Sequence, residues 1–271
     1  MTALAYRVDG PRDAPVLVLG SSLGTSGSMW DPQIPALSEH LRVVRYDHRG
    51  HGRSPVPPGP YELAELGADV LALMDALQLD RVHLGGLSLG GMVSMWVASH
   101  APDRVDRLAL VCTSAKLGPP EIWTERIEMV RAGGMAALTE MVIGRWFTPG
   151  FVAANPSIVD TVRQGLLDTP AEGYAGCCGA IQTMDLLDDL PKITAPTLVI
   201  AGSEDVPTPP EHAHRIGSLI PGARVEVVDG ASHLANLSHV DTVTSLLVSF
   251  LTSDESDETD EPDESVAKDP S

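Results

Sequence analysis

Gly86-Leu87-Ser88-Leu89-Gly90 decides how this chain is read. The five residues match G-x-S-x-G, in which a serine sits on a strained strand-to-helix turn with its hydroxyl pushed out at the top of a sheet. The pattern is short, so its surroundings carry the weight. Before it, Arg81-Val82-His83-Leu84 reads as a buried strand, and after it Gly91-Met92-Val93-Ser94-Met95-Trp96-Val97-Ala98-Ser99 reads as a helix. The serine needs an unfavourable backbone conformation while strand and helix close around it, and Gly86 and Gly90 leave that room. Outside this context the five residues would be only a glycine-rich turn that carries a hydroxyl.

Outward from the motif, short runs rich in valine and leucine alternate with helical patterns, the signature of an α/β fold whose mostly parallel sheet is covered by helices on both faces. Strands are expected near residues 4–8, 16–19, 43–46, 82–84, 108–112, 198–200 and 225–228. Apolar residues recur at three and four positions over 63–77 and again over 239–251, so both stretches read as helices with one face on the sheet. The rhythm breaks between Ala115 and Leu190, where helical periodicity continues without valine-rich strands. The expected organisation is therefore a core of residues 1–114 and 191–252 with a helical lid, 115–190, overhanging the serine. Trp123, Met129, Met135, Met141, Trp146, Phe147, Phe151, Met184 and Leu186 supply that lid with apolar side chains for a pocket lining, although each also suits plain core.

A serine hydroxyl is a weak nucleophile at neutral pH, so it needs a base and an acid that holds the base in the right tautomer. Of nine histidines, His233 lies in a loop between the final strand and the last helix. His83 belongs to a buried strand, and His100, His212 and His214 fall on or at the ends of helices. His48 and His51, in Asp47-His48-Arg49-Gly50-His51-Gly52-Arg53-Ser54, have no third ligand nearby for a metal and read as part of a tight glycine turn organised by Arg49. The acid should follow the strand at 197–202, where Asp205 is the choice and Glu204 the alternative. The order Ser88, Asp205, His233 is the chain order that the strand-turn-helix serine motif requires. For the oxyanion formed on attack, the backbone amides of Leu89 and Leu23 are the expected donors, the latter in the loop Gly20-Ser21-Ser22-Leu23-Gly24-Thr25, to which Ser22 adds a hydroxyl.

Composition narrows the partners. A chain of 271 residues, 43% hydrophobic, can bury a sizeable core. No stretch approaches the roughly 18 to 20 apolar residues that span a bilayer, and the first residues lack a basic segment followed by an apolar one, so neither membrane nor export is expected. Cys112, Cys177 and Cys178 form an odd set with two adjacent members, which reads as reduced thiols in a cytoplasmic protein. No cysteine and histidine spacing suggests a zinc site. A net charge of -19 argues against nucleic acid as partner. Nine acidic residues against Lys268 lie in 253–271, a tail with little to bury that is expected to stay disordered and solvated.

From about Leu4 to Leu251 the chain resembles the α/β-hydrolases. Within that superfamily, Leu19-Gly20-Ser21-Ser22-Leu23-Gly24 followed by Met29-Trp30-Asp31-Pro32-Gln33 resembles the 3-oxoadipate enol-lactonases, where many esterases carry His-Gly in place of Ser21-Ser22. Arg145-Trp146-Phe147-Thr148-Pro149 and Ser232-His233-Leu234-Ala235-Asn236-Leu237 resemble the same family. The resemblance implies hydrolysis of a small lactone with a free carboxylate, a late step in the breakdown of protocatechuate and catechol through β-ketoadipate, with no cofactor. Some members carry a decarboxylase domain after the lactonase, and none is expected here. A substrate carboxylate inside an acidic protein needs a cation. Arg126, Arg131 and Arg145 are the candidates, Arg145 beside Trp146 first, with Trp123 as a further substrate contact. A general serine esterase, a haloperoxidase-like esterase and a non-catalytic small-molecule receptor on the same fold are the competing readings.

Overall fold

The computed structural model describes residues 2–253. Its seven strands are β1 (Tyr6–Asp9), β2 (Val16–Gly20), β3 (Arg42–Tyr46), β4 (Val82–Leu87), β5 (Val105–Val111), β6 (Thr197–Gly202) and β7 (Arg224–Val228). They form one sheet in the order β1-β3-β2-β4-β5-β6-β7, parallel throughout except where β1 meets β3. The side chains explain the order. β4 and β6 are buried at every position, which suits strands covered on both faces, whereas β1 is mostly exposed and takes the edge.

Parallel neighbours need crossovers, and helices provide them. They are α1 (Ile34–Leu37), α2 (Leu63–Ala76), α3 (Leu89–His100), α4 (Pro120–Gly133), α5 (Thr139–Trp146), α6 (Pro149–Ala154), α7 (Pro156–Leu167), α8 (Ala171–Thr183), α9 (Pro210–Leu219), α10 (Ala235–Ser238) and α11 (Val240–Thr252). The start of α2 is fixed by a capping box in which the side chains of Glu62 and Glu65 each bond the other's backbone N–H. Helix α3 packs on β2, β4 and β5, and α9 on β6 and β7. Between β5 and β6 the chain is helical from α4 to α8, and a single bridge between Lys116 and Asp185 ties the two ends of that segment together.

Two expected strands shift. The first runs Tyr6–Asp9 because pairing with β3 sets its register, while Leu4 is buried and the Ala5 N–H donates to the Ser54 hydroxyl at 2.8 Å. Cys112 falls beyond β5 in a left-handed conformation, φ 43°, with its N–H on the Ile200 carbonyl. Cys112, Cys177 and Cys178 are all free and buried. No helix among the described residues is long and apolar enough to cross a membrane. Of the acidic tail only Ser253 is described, where Arg107 holds its carbonyl at 2.8 Å; the expectation of disorder for the rest lies outside the described residues.

The sheet changes winding direction at β2, with β3 on one side and β4 on the other, so the loops leaving the carboxyl ends of β2 and β4 part there and open a crevice. The turn after β4 holds Ser88 at φ 56°, ψ -113°, the sterically costly conformation that the motif requires. Its neighbours have no room for side chains. A Cβ on Gly86 would lie 2.3 Å from the Gly90 carbonyl carbon, and one on Gly90 would lie 2.4 Å from Gly20 backbone atoms. Strand β4, strand β2 and helix α3 therefore meet backbone to backbone.

This contact predicts that Gly90→Ala lowers stability by at least about 2 kcal/mol, since both partners are backbone and neither can swing away. Urea denaturation checks it, and an unchanged midpoint would show that the three segments have slack.

Candidate active site

Each element delivers one group to the crevice. Ser88 lies between β4 and α3; its N–H donates to the Val111 carbonyl at 3.0 Å and its carbonyl accepts from the Thr113 hydroxyl at 2.7 Å, so the end of β5 and the residues just after it hold the turn from both sides. Asp205 follows β6 and His233 follows β7. The two meet with His233 Nδ1 at 2.9 and 3.0 Å from the carboxylate oxygens, both side chains being buried. A carboxylate only accepts, so Nδ1 carries the proton between them, and in the neutral ring Nε2 is bare. Thr208 completes the arrangement, its N–H and hydroxyl donating to Asp205 at 2.9 and 2.8 Å. Burial alone would raise the Asp205 carboxyl, but the charge and hydrogen bond of His233 and the two bonds from Thr208 hold it below the ordinary carboxylate range. Glu204 has no such partners among the described residues and is exposed.

A cavity of about 120 Å³ lies over these groups, lined by Ser88, His233, Ser22, Leu23, Trp123, Arg126, Arg145 and Trp146. Of the expected site residues the cavity thus gathers all but three: Asp205, which stands behind His233, Leu89, which begins α3, and Arg131, which lies outside it. The Ser88 hydroxyl has no hydrogen-bond partner among the described residues; such contacts are commonly long before substrate binds. As the first residue of α3, Leu89 has an amide without an intrahelical acceptor. Along the loop after β2, the amides of Ser22, Gly24 and Thr25 all have acceptors, whereas that of Leu23 has none among the described residues. A larger cavity of about 470 Å³ opens beside α7 and α11, but none of the candidate residues lines it.

The lid expectation needs correction in detail. Of the nine apolar side chains named for a pocket lining, only Trp123 and Trp146 reach the cavity; Met129 and Met141 face solvent, 42% and 43% exposed, on the outer sides of α4 and α5. Composition names a helix's apolar residues without saying which face meets the site. Sequence reasoning missed Thr208, Tyr174, Val142 and Ile181. For Thr208 a signal existed, because Asp205-Val206-Pro207-Thr208 has the spacing of an aspartate-led turn.

The arginines separate clearly. Arg131 pairs with Glu172 at 3.2 Å on the outer surface and does not reach the cavity. Arg126 and Arg145 do reach it, and neither has a carboxylate partner among the described residues. Arg126 lies over the rings of Trp123 and Tyr174, 5.4 and 5.9 Å from their centroids. Arg145 Nε is buried without a hydrogen-bond partner, and burial together with the nearby charge of Arg126 pushes its guanidinium below the ordinary value.

His48 and His51 are not idle in their turn. Arg49 does organise it, through Asp69 at 2.6 Å and Glu65 at 3.1 Å. Yet His48 Nε2 donates to the Ser21 carbonyl at 3.0 Å, and His51 Nε2 accepts from the Gly24 N–H at 2.9 Å. Burial pushes His48 down to about 3, helped by the charge of His51; it pushes His51 down to about 4 against the opposing pull of the Arg49 carbonyl and Asp47. Among the described residues no three His, Cys, Asp or Glu side chains form a metal-binding group.

Set beside known proteins, residues 15–240 match the family model described as alpha/beta hydrolase fold. The chain belongs to the α/β-hydrolase fold family. It is 39% identical to 3-oxoadipate enol-lactonase 2 of Acinetobacter baylyi over 235 residues, 87% of this chain and 88% of that relative. Two solved structures overlay closely. One, described as the enol-lactonase from Burkholderia xenovorans, is 43% identical with a TM-score of 0.91 over 93% of this chain and 97% of that one. The other, a hydrolase from Pseudomonas aeruginosa, is 45% identical with a TM-score of 0.90 over 93% and 95%.

The two buried histidines make stability depend on pH. Their folded values lie below the ordinary 6.5, so between 6.5 and about 4 the unfolded chain takes up protons that the folded one refuses. Stability is full above 6.5 and is lost as pH falls through that window. Urea midpoints measured from pH 7 to pH 4 should therefore decline more gently in His51→Gln than in the unmodified protein; parallel slopes would contradict it.

Proposed function

We propose that this protein hydrolyses 3-oxoadipate enol-lactone to 3-oxoadipate in the β-ketoadipate route of aromatic breakdown, through an acyl-enzyme on Ser88. One observation carries the reading beyond a generic hydrolase: two arginines with no carboxylate partner among the described residues share a small cavity with the serine and histidine. A cation held in a partly desolvated place without a counter-ion is costly, and a ligand that brings its own carboxylate offsets that cost. The names of the relatives point to the same substrate class.

In this reading His233 Nε2 takes the Ser88 proton as the hydroxyl oxygen attacks the ring carbonyl, while Asp205 steadies the imidazolium through Nδ1. The amides of Leu23 and Leu89 hold the oxyanion, with the Ser22 hydroxyl beside them. Collapse breaks the ring C–O bond and expels an enolate, a better leaving group than an alkoxide, which takes up the proton held by His233 and relaxes to the ketone, leaving Nε2 bare again. Water, deprotonated by His233, then attacks the acyl-enzyme and frees the second carboxylate together with Ser88. Trp123 and Trp146 wall the site, and residues 115–190 act as a lid over the core formed by 1–114 and 191–252. The chemistry calls for no cofactor, and free buried thiols fit a cytoplasmic site of action.

Ser88→Ala should abolish turnover of the lactone while circular dichroism stays native, because oxyanion donors and pocket cannot replace a covalent nucleophile. A folded variant that still turns over near the normal rate would remove Ser88 from the mechanism.

Specificity offers the sharper test. Losing a charge-assisted contact costs about 1.5 to 3 kcal/mol, or roughly tenfold to more than a hundredfold in kcat/KM. Arg145→Ala and Arg126→Ala should each depress activity on the carboxylated lactone and spare a neutral ester of similar size. Should the unmodified protein hydrolyse the neutral ester equally well, a general esterase takes the place of the lactonase.

A further inference from the structure

The loop that carries the Leu23 amide is held by two side chains that take no part in the proton transfers. The Ser21–Ser22 peptide is gripped through its carbonyl, which accepts from His48 Nε2 at 3.0 Å and from the Gly90 N–H at 3.0 Å. The Leu23–Gly24 peptide is gripped through its N–H, which donates to His51 Nε2 at 2.9 Å. Between them lies the Ser22–Leu23 peptide, whose N–H alone lacks an acceptor. Fixing the planes on either side leaves that peptide little freedom to turn.

We propose that His51 is a positioning residue for the oxyanion donor: by accepting the Gly24 N–H it keeps the Leu23 N–H aimed into the Ser88 cavity, with His48 fixing the other side of the same peptide. This rests on the hydrolase reading above. The bond pattern of His51 supports it. Nε2 must be bare to accept, and Nδ1 faces the Arg49 carbonyl at 3.2 Å, to which it donates, so both ring nitrogens are committed and only one neutral tautomer serves. The ring is fully buried, and Cys177 Sγ lies 3.9 Å from Nδ1. Burial keeps charge off it, against the pull of the Arg49 carbonyl and of Asp47, whose carboxylate is engaged by the N–H groups of Gly27 and Arg53. A merely structural histidine would need no such link to the loop in which Leu23, a lining residue of the Ser88 cavity, has an amide without an acceptor among the described residues.

The experiment compares two ligands across His51 variants. One is a trifluoromethyl ketone bearing a carboxylate, whose carbonyl carbon bonds Ser88 Oγ while the hydroxyl proton passes to His233, leaving a hemiketal oxyanion. The other is adipate, which carries carboxylates but no electrophilic carbon. Replacing His51 by leucine (H51L) should weaken the ketone and lower kcat by the same factor, roughly tenfold to a hundredfold, short of the loss of an oxyanion donor outright. Adipate affinity and KM should stay as they were. His51→Gln, which offers an amide oxygen to Gly24, should retain most of both. If the leucine variant does not fold, His51→Asn, too short to reach Gly24, replaces it and should fall below His51→Gln. Equal ketone affinity in the glutamine variant and the shorter or apolar one overturns the positioning role, as does parallel weakening of ketone and adipate. Absence of any Ser88 adduct in the unmodified protein overturns the hydrolase reading and this inference together.

Discussion

The site depends on one constraint, the backbone of Ser88 held in a left-handed conformation that a serine does not adopt freely. Such a residue costs on the order of 1 to 3 kcal/mol and persists only where its surroundings over-determine it. Here they do so three times. The N–H is taken by Val111, the carbonyl by Thr113, and the glycines on either side allow β2, β4 and α3 to close to contact. Because β2 ends against the start of α3, the loop that follows it is brought to the same place as the nucleophile. The hydrogen bond from the Gly90 N–H to the Ser21 carbonyl records that meeting. The amides and the hydroxyl to which the proposed mechanism assigns oxyanion and nucleophile roles are therefore brought together by a single packing event.

Charge poses the opposite problem. The chain carries 37 acidic against 18 basic residues, so its overall field repels an anion. Most of the cations near the core are already engaged: Arg45 by Asp9 and Asp31, Arg49 by Asp69 and Glu65, Arg107 by carbonyls at the end of α11. Arg126 and Arg145 differ in standing inside a cavity, held by ring faces or by packing, with no carboxylate partner among the described residues. Burial and, after it, the like charge of Arg126 hold the Arg145 guanidinium below its ordinary value. That arrangement is poor as a means of stability, and it is what the proposed carboxylated substrate calls for.

The fold was legible because its signals are local. Alternating valine-rich runs and helical periods located every strand of the sheet, with errors of a few residues where pairing and not composition sets the end, as at β1 and Cys112. The gathering of Ser88, Asp205 and His233 was legible for a different reason: in this topology each must follow a particular strand, so chain order stands in for distance. Cavity walls carry no such rule. Met129 and Trp123 look alike in composition, and only the rotation of α4 turns one to solvent and the other to the serine. His48 and His51 were read as parts of a turn, which they are, but their bonds to the loop after β2 cross more than twenty residues of sequence and leave no local mark.

How the anchor is registered with the base is the last geometric link. Arg145 belongs to the helical segment, His233 to the core, and a loose contact between the two would let the distance from carboxylate site to nucleophile vary. The backbone prevents this. The carbonyl of Trp146 accepts from the Leu234 N–H at 3.2 Å, and that of Arg145 faces the Ser232 hydroxyl at 3.5 Å, so the residues on either side of His233 are tied to the arginine's own stretch of chain. A second tie, from the Tyr61 N–H to the Gly176 carbonyl, fixes the far end of the segment through α8. Since misplacement of a bound substrate by about 1 Å can cost on the order of a hundredfold in rate, a cation that moves with the base is worth more to catalysis than one of equal charge on an independent helix. In the proposed function, the bonds that tie Arg145 and Trp146 to the chain around His233 are thus the ones that would set where the substrate carboxylate rests relative to Ser88.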